Sequence, residues 1–221
     1  TELFLGTEVR HSFADEKGSG LLTSSGKIYA QKKVFCAGLQ SDRLAQKDGA
    51  RPEVAIVGFR GDYYELTEKG KHKVKHLIYP VPDPEFPFLG VHFTRMTDGS
   101  VECGPNAVFS FKREGYSRTS FSLKDTWQAL TFPGTWKLFF THPAKGLEEY
   151  KRAFSKKLFL KALQKMIPSL SMEDIVPVRS GVRAQALKAD GALVDDFKIS
   201  YSGNSVHVLN APSPAATASL A

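Results

Sequence analysis

The stretch SGVRAQALKADGALVDDF (180–197), followed by SVHVLNAP (205–212) and SPAATASLA (213–221), decides how this chain can fold. It places an arginine, Arg183, beside extended segments that end at two prolines and pass into small residues. Proline interrupts a strand, and the alanines that follow favour the start of a helix. Because the first N–H groups of a helix have no partner within it, such a break can hold an anion or an electron-rich ring edge.

The composition is that of an ordinary globular protein. The 221 residues are 42% hydrophobic and 24% charged, which suits one large or two small domains. The net charge is +7, and seven Lys or Arg stand against two Glu between Lys145 and Lys165. A solvated helix face explains this cluster better than a nucleic-acid groove does, so no nucleic-acid partner is predicted. Cys36 and Cys103 lie in apolar, strand-like surroundings and are predicted to be reduced core residues.

Upstream, a short strand runs into a helix. KVFCAG (33–38) predicts a buried strand that ends at glycine, and LQSDRLAQ (39–46) predicts a helix start. A strand that ends in Ala-Gly before a helix lets the backbone approach a phosphate or nucleotide. A plain connection of strand, turn and helix has the same pattern, so both interpretations stay open here.

The middle of the chain changes from strands to helices. VAIVGFRGDYYEL (54–66) and HLIYPVPD (76–83) predict strands, and LGVHFTRMTDGSVECGPN (89–106) predicts a hairpin with a two-residue turn at Asp98-Gly99. Between Phe111 and Ile175 the pattern is helical. Ser122 with Asp125 and Ser171 with Asp174 match helix-capping patterns. The repeat of Leu147, Tyr150, Phe154 and Leu158 at helical spacing predicts one apolar face. The order of strands, helices and strands predicts an α+β fold with a mainly antiparallel central sheet.

Several of these stretches resemble one known family. GVRAQALKADGALVDDF (181–197) followed by HVLNAPSPAAT (207–217) is similar to the C-terminal flavin-site segment of L-2-hydroxyglutarate oxidases and dehydrogenases, and CAGLQSDRLA (36–45) also matches. These are FAD enzymes of the D-amino-acid-oxidase-like superfamily. The resemblance extends from about Thr7 to the last residue. It implies part of an FAD-binding Rossmann-like domain over 1–53, a substrate-binding domain over 54–178, and a return to the FAD-binding domain over 179–221.

The resemblance also implies which residues hold FAD. Val9 would lie beside the adenine through its backbone, and Ala37 and Gly38 would lie against the cofactor between strand and helix. The loop after the last strand would hold the flavin pyrimidine edge through backbone N–H groups, and the helix start would stabilise charge on the reduced ring. The implied residues of that loop are Asn210, Ala211, Pro212, Ser213, Pro214, Ala215, Ala216 and Thr217.

Arg183 is the main candidate for substrate binding. Substrates of this superfamily carry a carboxylate, which a guanidinium binds through two parallel hydrogen bonds. GVRAQ (181–185) resembles the stretch that supplies such an arginine in related amino-acid oxidases. A structural ion pair with Asp195 or Asp196 is the alternative.

Two further stretches supply candidates by resemblance. Tyr79 occupies the place of a tyrosine that contacts the substrate carboxylate in related oxidases. FRGDYYEL (59–66) looks like the strand that enters the substrate domain, with Arg60 near the flavin and Tyr63 or Tyr64 facing the pocket. Tyrosines simply packed in a sheet are an equally acceptable interpretation.

Two histidines are candidates for the catalytic base. Such a base takes the hydroxyl proton while hydride leaves carbon for the flavin. His92 is the first candidate, because alternation places it with Thr94 on one face of its strand. His207 is the second, three residues before Asn210; either could instead be an ordinary core or surface histidine. No metal site is predicted, because no His, Cys or Asp group has zinc-ligand spacing.

The resemblance implies oxidation of L-2-hydroxyglutarate, a small dicarboxylate, to 2-oxoglutarate, with electrons passing on to oxygen or a quinone. It implies a cytoplasmic protein, with peripheral contact at the inner face of a membrane, or a mitochondrial one in a eukaryote. Two rivals are an FAD-dependent glycine- or sarcosine-type oxidase and a non-catalytic basic binding module.

One motif of the family is absent. The sequence contains no G-x-G-x-x-G fingerprint for the FAD pyrophosphate. The chain is therefore expected to be the middle and C-terminal part of a longer polypeptide, and to be inactive as an isolated fragment.

Overall fold

The computed structural model describes residues 2–81, 90–141, 143–212 and 215–220. The chain forms two compact units, Thr1–Ile56 with Gln185–Ala221 (unit 1) and Val57–Ala184 (unit 2). It passes from unit 1 to unit 2 within strand β5 (Val54–Gly61) and returns within strand β11 (Gly181–Lys188). The assignment of 1–53 and 179–221 to FAD binding, and of 54–178 to substrate binding, stays a prediction.

Unit 1 begins with an antiparallel meander. Strands β1 (Val9–Asp15), β2 (Gly18–Thr23) and β3 (Gly26–Tyr29) pair in that order. Gly20 allows β2 and β3 to approach, because a Cβ at this position would collide with the carbonyl oxygen of Ile28.

The second sheet of unit 1 contains the parallel pair on which the candidate cofactor segments lie. Strand β4 (Lys33–Phe35) pairs in parallel with β13 (Ser205–Asn210), which pairs in antiparallel with β12 (Lys198–Ser202). After β4 the chain enters a 3-10 helix (Gly38–Gln40) and helix α1 (Ser41–Lys47). The helix expected after the prolines begins at Ala215, as α7 (Ala215–Ala218).

Unit 2 contains an antiparallel four-stranded sheet and most of the helices. The strand order is β10-β6-β8-β7, and a second sheet has the order β11-β5-β9. The strands are β6 (Tyr64–Leu66), β7 (His92–Arg95), β8 (Val101–Gly104), β9 (Val108–Phe109) and β10 (Ile175–Pro177). The helices are α2 (Glu68–Lys71), α3 (Leu123–Thr131), α4 (Pro133–Thr141), α5 (Pro143–Phe154) and α6 (Lys156–Leu163). This confirms the α+β class with mainly antiparallel sheets.

The core of unit 2 forms where the four-stranded sheet meets α6. Phe93, Phe159 and Leu163 are fully buried within one cluster, and the Tyr64 and Phe159 rings lie 4.6 Å apart. Each such side chain stabilises the fold by about 1.5–3 kcal/mol relative to an exposed position. The core fixes β6, β7 and β8, which carry or adjoin Tyr63, His92 and Pro105.

Several local expectations need correction. The hairpin of β7 and β8 is present, but the Met96 N–H donates to Ser100, so the loop has three residues rather than two. HLIYPVPD contributes a single bridge from Ile78 to Phe93 rather than a strand, and its last two residues lie outside the described part. Cys36 is exposed, whereas Cys103 is buried and its thiol pKa rises to about 12 because of desolvation.

The predicted apolar helix face is not buried as one surface. The helical block breaks at Ser155, which caps α6 by accepting a hydrogen bond from Leu158 N–H. Leu147, Phe154 and Leu158 are exposed, and α5 buries Glu149 and Ala153 instead. A change of direction between two short helices therefore divides a repeat that looks continuous in the sequence.

Ser171 and Asp174 close a turn rather than begin a helix. The buried Asp174 carboxylate accepts hydrogen bonds from Lys73 Nζ (2.7 Å), Ser171 N–H (2.6 Å) and Ser171 Oγ (2.9 Å). Burial raises the pKa of Asp174, but these hydrogen bonds outweigh burial and the pKa lies below its ordinary value. Since the native state takes up this proton at lower pH than the unfolded chain, the stabilisation is present above about pH 4–5 and is lost in acid.

We expect Asp174→Asn to lower the free energy of unfolding by about 1–3 kcal/mol at neutral pH, because it removes a charged acceptor from three donors. At acid pH, below the ordinary aspartate pKa of about 4, the wild-type carboxyl takes up its proton in turn, so the difference should shrink. Urea unfolding of the intact protein at both pH values measures this. Glu173→Gln, at the exposed neighbouring position, is the control. A difference that is the same at both pH values would contradict the assigned role.

Candidate active site

A pocket in unit 2 contains the main candidate substrate residue. Its volume is about 200 Å³, which suits a small metabolite rather than a drug-sized ligand of about 300–1,000 Å³. The wall is formed by the end of β5, by Tyr63, by the loop between β8 and β9, and by the start of β11. The lining residues are Phe59, Gly61, Tyr63, Pro105, Asn106, Ala107, Gly181, Val182 and Arg183.

Arg183 and Tyr63 are the polar side chains of greatest interest in this wall. Arg183 lies on β11 and is exposed, whereas Tyr63 is half-buried. Burial and the negative charge of Glu102 raise the pKa of the Tyr63 hydroxyl, and the charge of Arg183 offsets part of the rise. At neutral pH the site therefore offers a guanidinium and a phenolic O–H, both of which can donate to a carboxylate.

Tyr79 and His92 form a stacked pair within the same unit. Their rings lie 4.4 Å apart at an interplanar angle of 19°. Gly104, which pairs with His92, lies close to Tyr63, since a Cβ at Gly104 would stand 3.1 Å from Tyr63 Cδ1. His92 pairs across the sheet with Gly104, the residue before Pro105 of the wall. The structure thus brings Tyr63, Tyr79 and His92 into one neighbourhood.

The contact of His92 with Gly90 selects a tautomer. Nδ1 of His92 lies 3.0 Å from the Gly90 carbonyl oxygen. Because a carbonyl can only accept, this hydrogen bond requires the proton to be on Nδ1. The neutral imidazole then has its lone pair on Nε2, which is the form that a general base needs.

His207 has a different environment, in unit 1. Only 1% of the side chain is exposed, its Nε2 lies 3.0 Å from Asp48 Oδ2, and its ring stacks on Phe35 at 4.8 Å. Lys33 Nζ also lies 3.0 Å from the Asp48 carboxylate. Burial raises the pKa of Asp48, but the neighbouring Ser12 and Ser205 hydroxyls and the Lys33 ammonium outweigh burial and lower the pKa. Both base assignments stay predictions, and these contacts favour His92.

Arg60 lies on β5 and is occupied by protein groups. Its guanidinium is buried, with Nε 3.0 Å and Nη2 3.3 Å from the two Asp62 oxygens, and Nη1 donates to the Ser117 carbonyl at 2.9 Å. Its assignment to substrate binding stays a prediction, and these contacts favour a supporting role. Tyr64, the alternative to Tyr63, is 4% exposed and packs in the core.

Asp62 supports the pocket wall and was not identified from the sequence. Its carboxylate accepts from Arg60 and from Ser180 Oγ (3.0 Å), and its N–H donates to Asn106 Oδ1 (2.6 Å). Arg118 Nε lies 3.6 Å away. Asp62 therefore connects the end of β5 to Asn106 of the pocket and to the residue before Gly181. These partners are up to 118 positions away in sequence, so no local pattern indicates them.

The candidate cofactor segments of unit 1 come together at one sheet edge. Ala37-Gly38 follows β4, and Asn210 ends β13, its parallel neighbour. Gly38 adopts a φ of +49°, and no atom lies within 4 Å of the position of a Cβ there, so the backbone is open. Ligands of open α/β sheets bind beyond the carboxyl ends of parallel strands. The geometry therefore fits a nucleotide cofactor.

Further contacts fix this edge. The buried Ser41 Oγ donates to the Leu209 carbonyl at 3.1 Å, which ties α1 to β13. Asn210 Nδ2 donates to the carbonyls of Val194 (2.9 Å) and Asp196 (2.8 Å). The Asn210 side chain thus holds the loop, and the Pro212 carbonyl accepts a hydrogen bond from the Ala215 N–H at 2.8 Å.

The other candidate cofactor residues have less support. Val9 begins β1 and pairs with Thr23. Ala215 and Ala216 lie in α7, Ser213 and Pro214 lie outside the described residues, and of Thr217 only the backbone is described. The part of the chain that the structure describes contains no group of three or more acidic, His or Cys side chains that could hold a metal ion. In that same part no helix is long and apolar enough to cross a bilayer.

Comparison with known families decides the classification. The family model for DAO, FAD dependent oxidoreductase, matches residues 1–221. The chain belongs to this family.

Two curated relatives within this family are L-2-hydroxyglutarate dehydrogenases. The chain is 46% identical over 220 residues to L-2-hydroxyglutarate dehydrogenase of Indibacter alkaliphilus, covering 99% of this chain and 55% of the relative. It is 53% identical over 221 residues to the mitochondrial L-2-hydroxyglutarate dehydrogenase of Nematostella vectensis, covering 94% and 48%. The chain thus spans about half the length of the curated relatives that it matches.

Solved structures support the fold. The L-α-glycerophosphate oxidase of Mycoplasma pneumoniae, with FAD bound, matches with a TM-score of 0.64 at 21% identity, over 96% of this chain and 47% of that one. The glycerol-3-phosphate dehydrogenase of Bacillus halodurans, complexed with FAD, matches with a TM-score of 0.55 at 15% identity, over 92% and 34%.

Proposed function

We propose that this chain supplies the substrate pocket and part of the flavin site of an enzyme that oxidises L-2-hydroxyglutarate to 2-oxoglutarate. The supporting observation is a pocket of about 200 Å³ that combines Arg183 with Tyr63, in a member of an FAD-dependent oxidoreductase family. The names of the relatives favour the 2-hydroxy dicarboxylate over other small acids. The basic net charge of +7 also suits an anionic substrate.

Arg183 binds one substrate carboxylate through its guanidinium fork. Tyr63 donates its hydroxyl to the substrate, because its raised pKa keeps it protonated at neutral pH. Tyr79 holds the His92 ring by stacking and provides a second phenolic donor near the substrate. Together these groups orient the carbon that bears the hydroxyl, so that its hydrogen points away from the base.

His92 accepts the hydroxyl proton on Nε2, the nitrogen that its contact with Gly90 leaves available. As the O–H bond breaks, its electron pair forms the new C=O bond, and the C–H hydrogen leaves with both of its electrons. FAD, when bound, supplies the acceptor for this hydride. The step leaves 2-oxoglutarate in the pocket and a proton on His92.

The cofactor edge in unit 1 is assigned to Ala37-Gly38 and to the segment from Asn210 onward. The open Gly38 backbone and the parallel pair β4/β13 support this assignment. Val9 is assigned to the adenine end through its backbone. The electron acceptor of the complete enzyme would be oxygen or a quinone, and a quinone acceptor would require contact with a membrane surface in the cytoplasm or, in a eukaryote, in the mitochondrion.

An anaerobic reduction experiment tests the proposal. We expect the purified intact enzyme to show flavin absorbance, and stoichiometric L-2-hydroxyglutarate to bleach it while the D-enantiomer does not. Bleaching by glycine or sarcosine instead would support the amine-oxidase rival. A colourless preparation that fails to bind added FAD would support the non-catalytic rival. The isolated 221-residue chain, titrated with FAD, should bind weakly and show no turnover.

A further inference from the structure

A basic groove lies between α5 and α6, apart from the substrate pocket. Its volume is about 320 Å³, and its lining consists of four cations, one carboxylate and two apolar residues. The cations are Lys151, Arg152, Lys161 and Lys165, the carboxylate is Glu148, and the apolar residues are Leu158 and Ala162. The groove is therefore an electropositive concavity of a size that accommodates one or two phosphate groups.

Most of this positive charge has no ion-pair partner in the part of unit 2 that the structure describes. Among the described residues, Lys151, Lys161 and Lys165 form no ion pair, while Arg152 Nη1 lies 2.6 Å from Glu149 Oε1. Lys161 lies in the last turn of α6 and Lys165 in the turn that follows it, and both line the groove, where like charges repel. An anion in the groove would relieve this repulsion and contact several cations at once.

Arg152 connects the groove to the substrate pocket through one buried side chain. Glu149 is 7% exposed; its Oε1 accepts from Arg152, and its Oε2 accepts from the N–H of Ala107 at 3.0 Å. Ala107 lines the substrate pocket. Burial raises the pKa of Glu149, and the charge of Arg152 opposes part of the rise. A ligand that draws Arg152 away would therefore weaken the ionised form of Glu149, which holds Ala107.

We propose that this groove binds a phosphate-bearing anion, and that occupancy is transmitted through Arg152 and Glu149 to the substrate pocket. A phosphate monoester or diphosphate carries at least about 1.5 negative charges and several acceptor oxygens, which matches a cluster of four cations better than a single carboxylate does. Binding of the anion goes beyond the proposed function. Transmission to the substrate pocket rests on the proposed function.

Two sources can supply such a phosphate group. One is a free metabolite. The other is the headgroup of an anionic lipid, since the exposed side chains of Phe154 and Leu158 stand next to the cations and could enter a bilayer surface. The chemistry in the groove is the same in both cases, and the experiment distinguishes them.

Calorimetric titration of the intact enzyme with inorganic pyrophosphate, and cosedimentation with vesicles, test the binding step. The vesicles are phosphatidylcholine alone or with phosphatidylglycerol. We expect the double variant Lys161→Gln/Lys165→Gln to weaken binding by about tenfold or more for whichever probe binds the wild-type enzyme. The matched control is Lys69→Gln/Lys124→Gln, which removes two exposed charges of unit 2 outside the groove and should bind normally.

Groove-dependent binding of pyrophosphate assigns a free phosphate ligand, and groove-dependent binding of phosphatidylglycerol vesicles alone assigns a lipid headgroup. Equal loss in both double variants, or no binding of either probe, overturns the site.

Steady-state kinetics test the transmission step. The bound probe should change KM for L-2-hydroxyglutarate at least about twofold in the wild type and not in Glu149→Gln or Arg152→Lys. An unchanged wild-type KM despite binding overturns this step. If the enzyme does not oxidise L-2-hydroxyglutarate, the binding result still stands.

Discussion

Arg183→Met in the intact enzyme is expected to lower kcat/KM for L-2-hydroxyglutarate by about 100- to 1,000-fold. Hydrogen bonds to charged groups each contribute about 1.5–3 kcal/mol, and a guanidinium fork makes two of them. Because the carboxylate is held in both the ground state and the transition state, most of the loss should appear as a raised KM.

A conservative variant separates charge from geometry. Arg183→Lys keeps the positive charge but loses the planar fork, so an intermediate loss of about tenfold is expected. Arg179→Met is the matched control, because Arg179 is exposed four positions earlier and does not line the pocket. Steady-state kinetics on the three variants measures these effects. Comparable losses from Arg179 and Arg183, or an unchanged KM in Arg183→Met, would remove Arg183 from the substrate site.

Asp62→Ala is expected to lower the free energy of unfolding by about 3–5 kcal/mol. The change leaves the buried Arg60 guanidinium without its carboxylate, and an unpaired buried charge has a cost of this size. It also releases Ser180, which Asp62 holds at the start of β11. Chemical denaturation of the intact protein measures the loss.

Two further variants identify the cause. Glu68→Ala breaks an exposed ion pair with Lys71, which should cost less than about 1 kcal/mol. The double variant Arg60→Met/Asp62→Leu removes both buried charges, and it should recover most of the stability that Asp62→Ala loses. If the double variant is as unstable as the sum of the single changes, the ion pair is not the origin of the effect.

Much of the fold could be predicted because its signals are local. The cap at Ser122, the short strand before Ala37-Gly38 and the helix start after the prolines each depend on a few adjacent residues. The extra residue in the Asp98-Gly99 loop could not be predicted, because the loop length depends on how β7 and β8 pair.

The site was only partly accessible from the sequence, since its supporting contacts are long-range. Resemblance identified Arg183 and Tyr63, which line one pocket. It could not show that His207 is buried beside Asp48, because that contact joins positions 159 apart; strand alternation alone places His92 first. Nor could it indicate Glu149, which the helical repeat places outside the apolar face although it is buried in the structure.

The parallel pairing of β4 with β13 has a consequence for biosynthesis. Val34 pairs with Val206, so the ribosome must synthesise the whole of unit 2 before β4 can find its partner. Until then, one edge of β4 lacks its neighbour, while the contiguous unit 2 can already form its core. The edge assigned to the cofactor is therefore expected to mature last, and a nascent chain stalled before β13 should be folded in its middle yet prone to aggregate through its earlier strands.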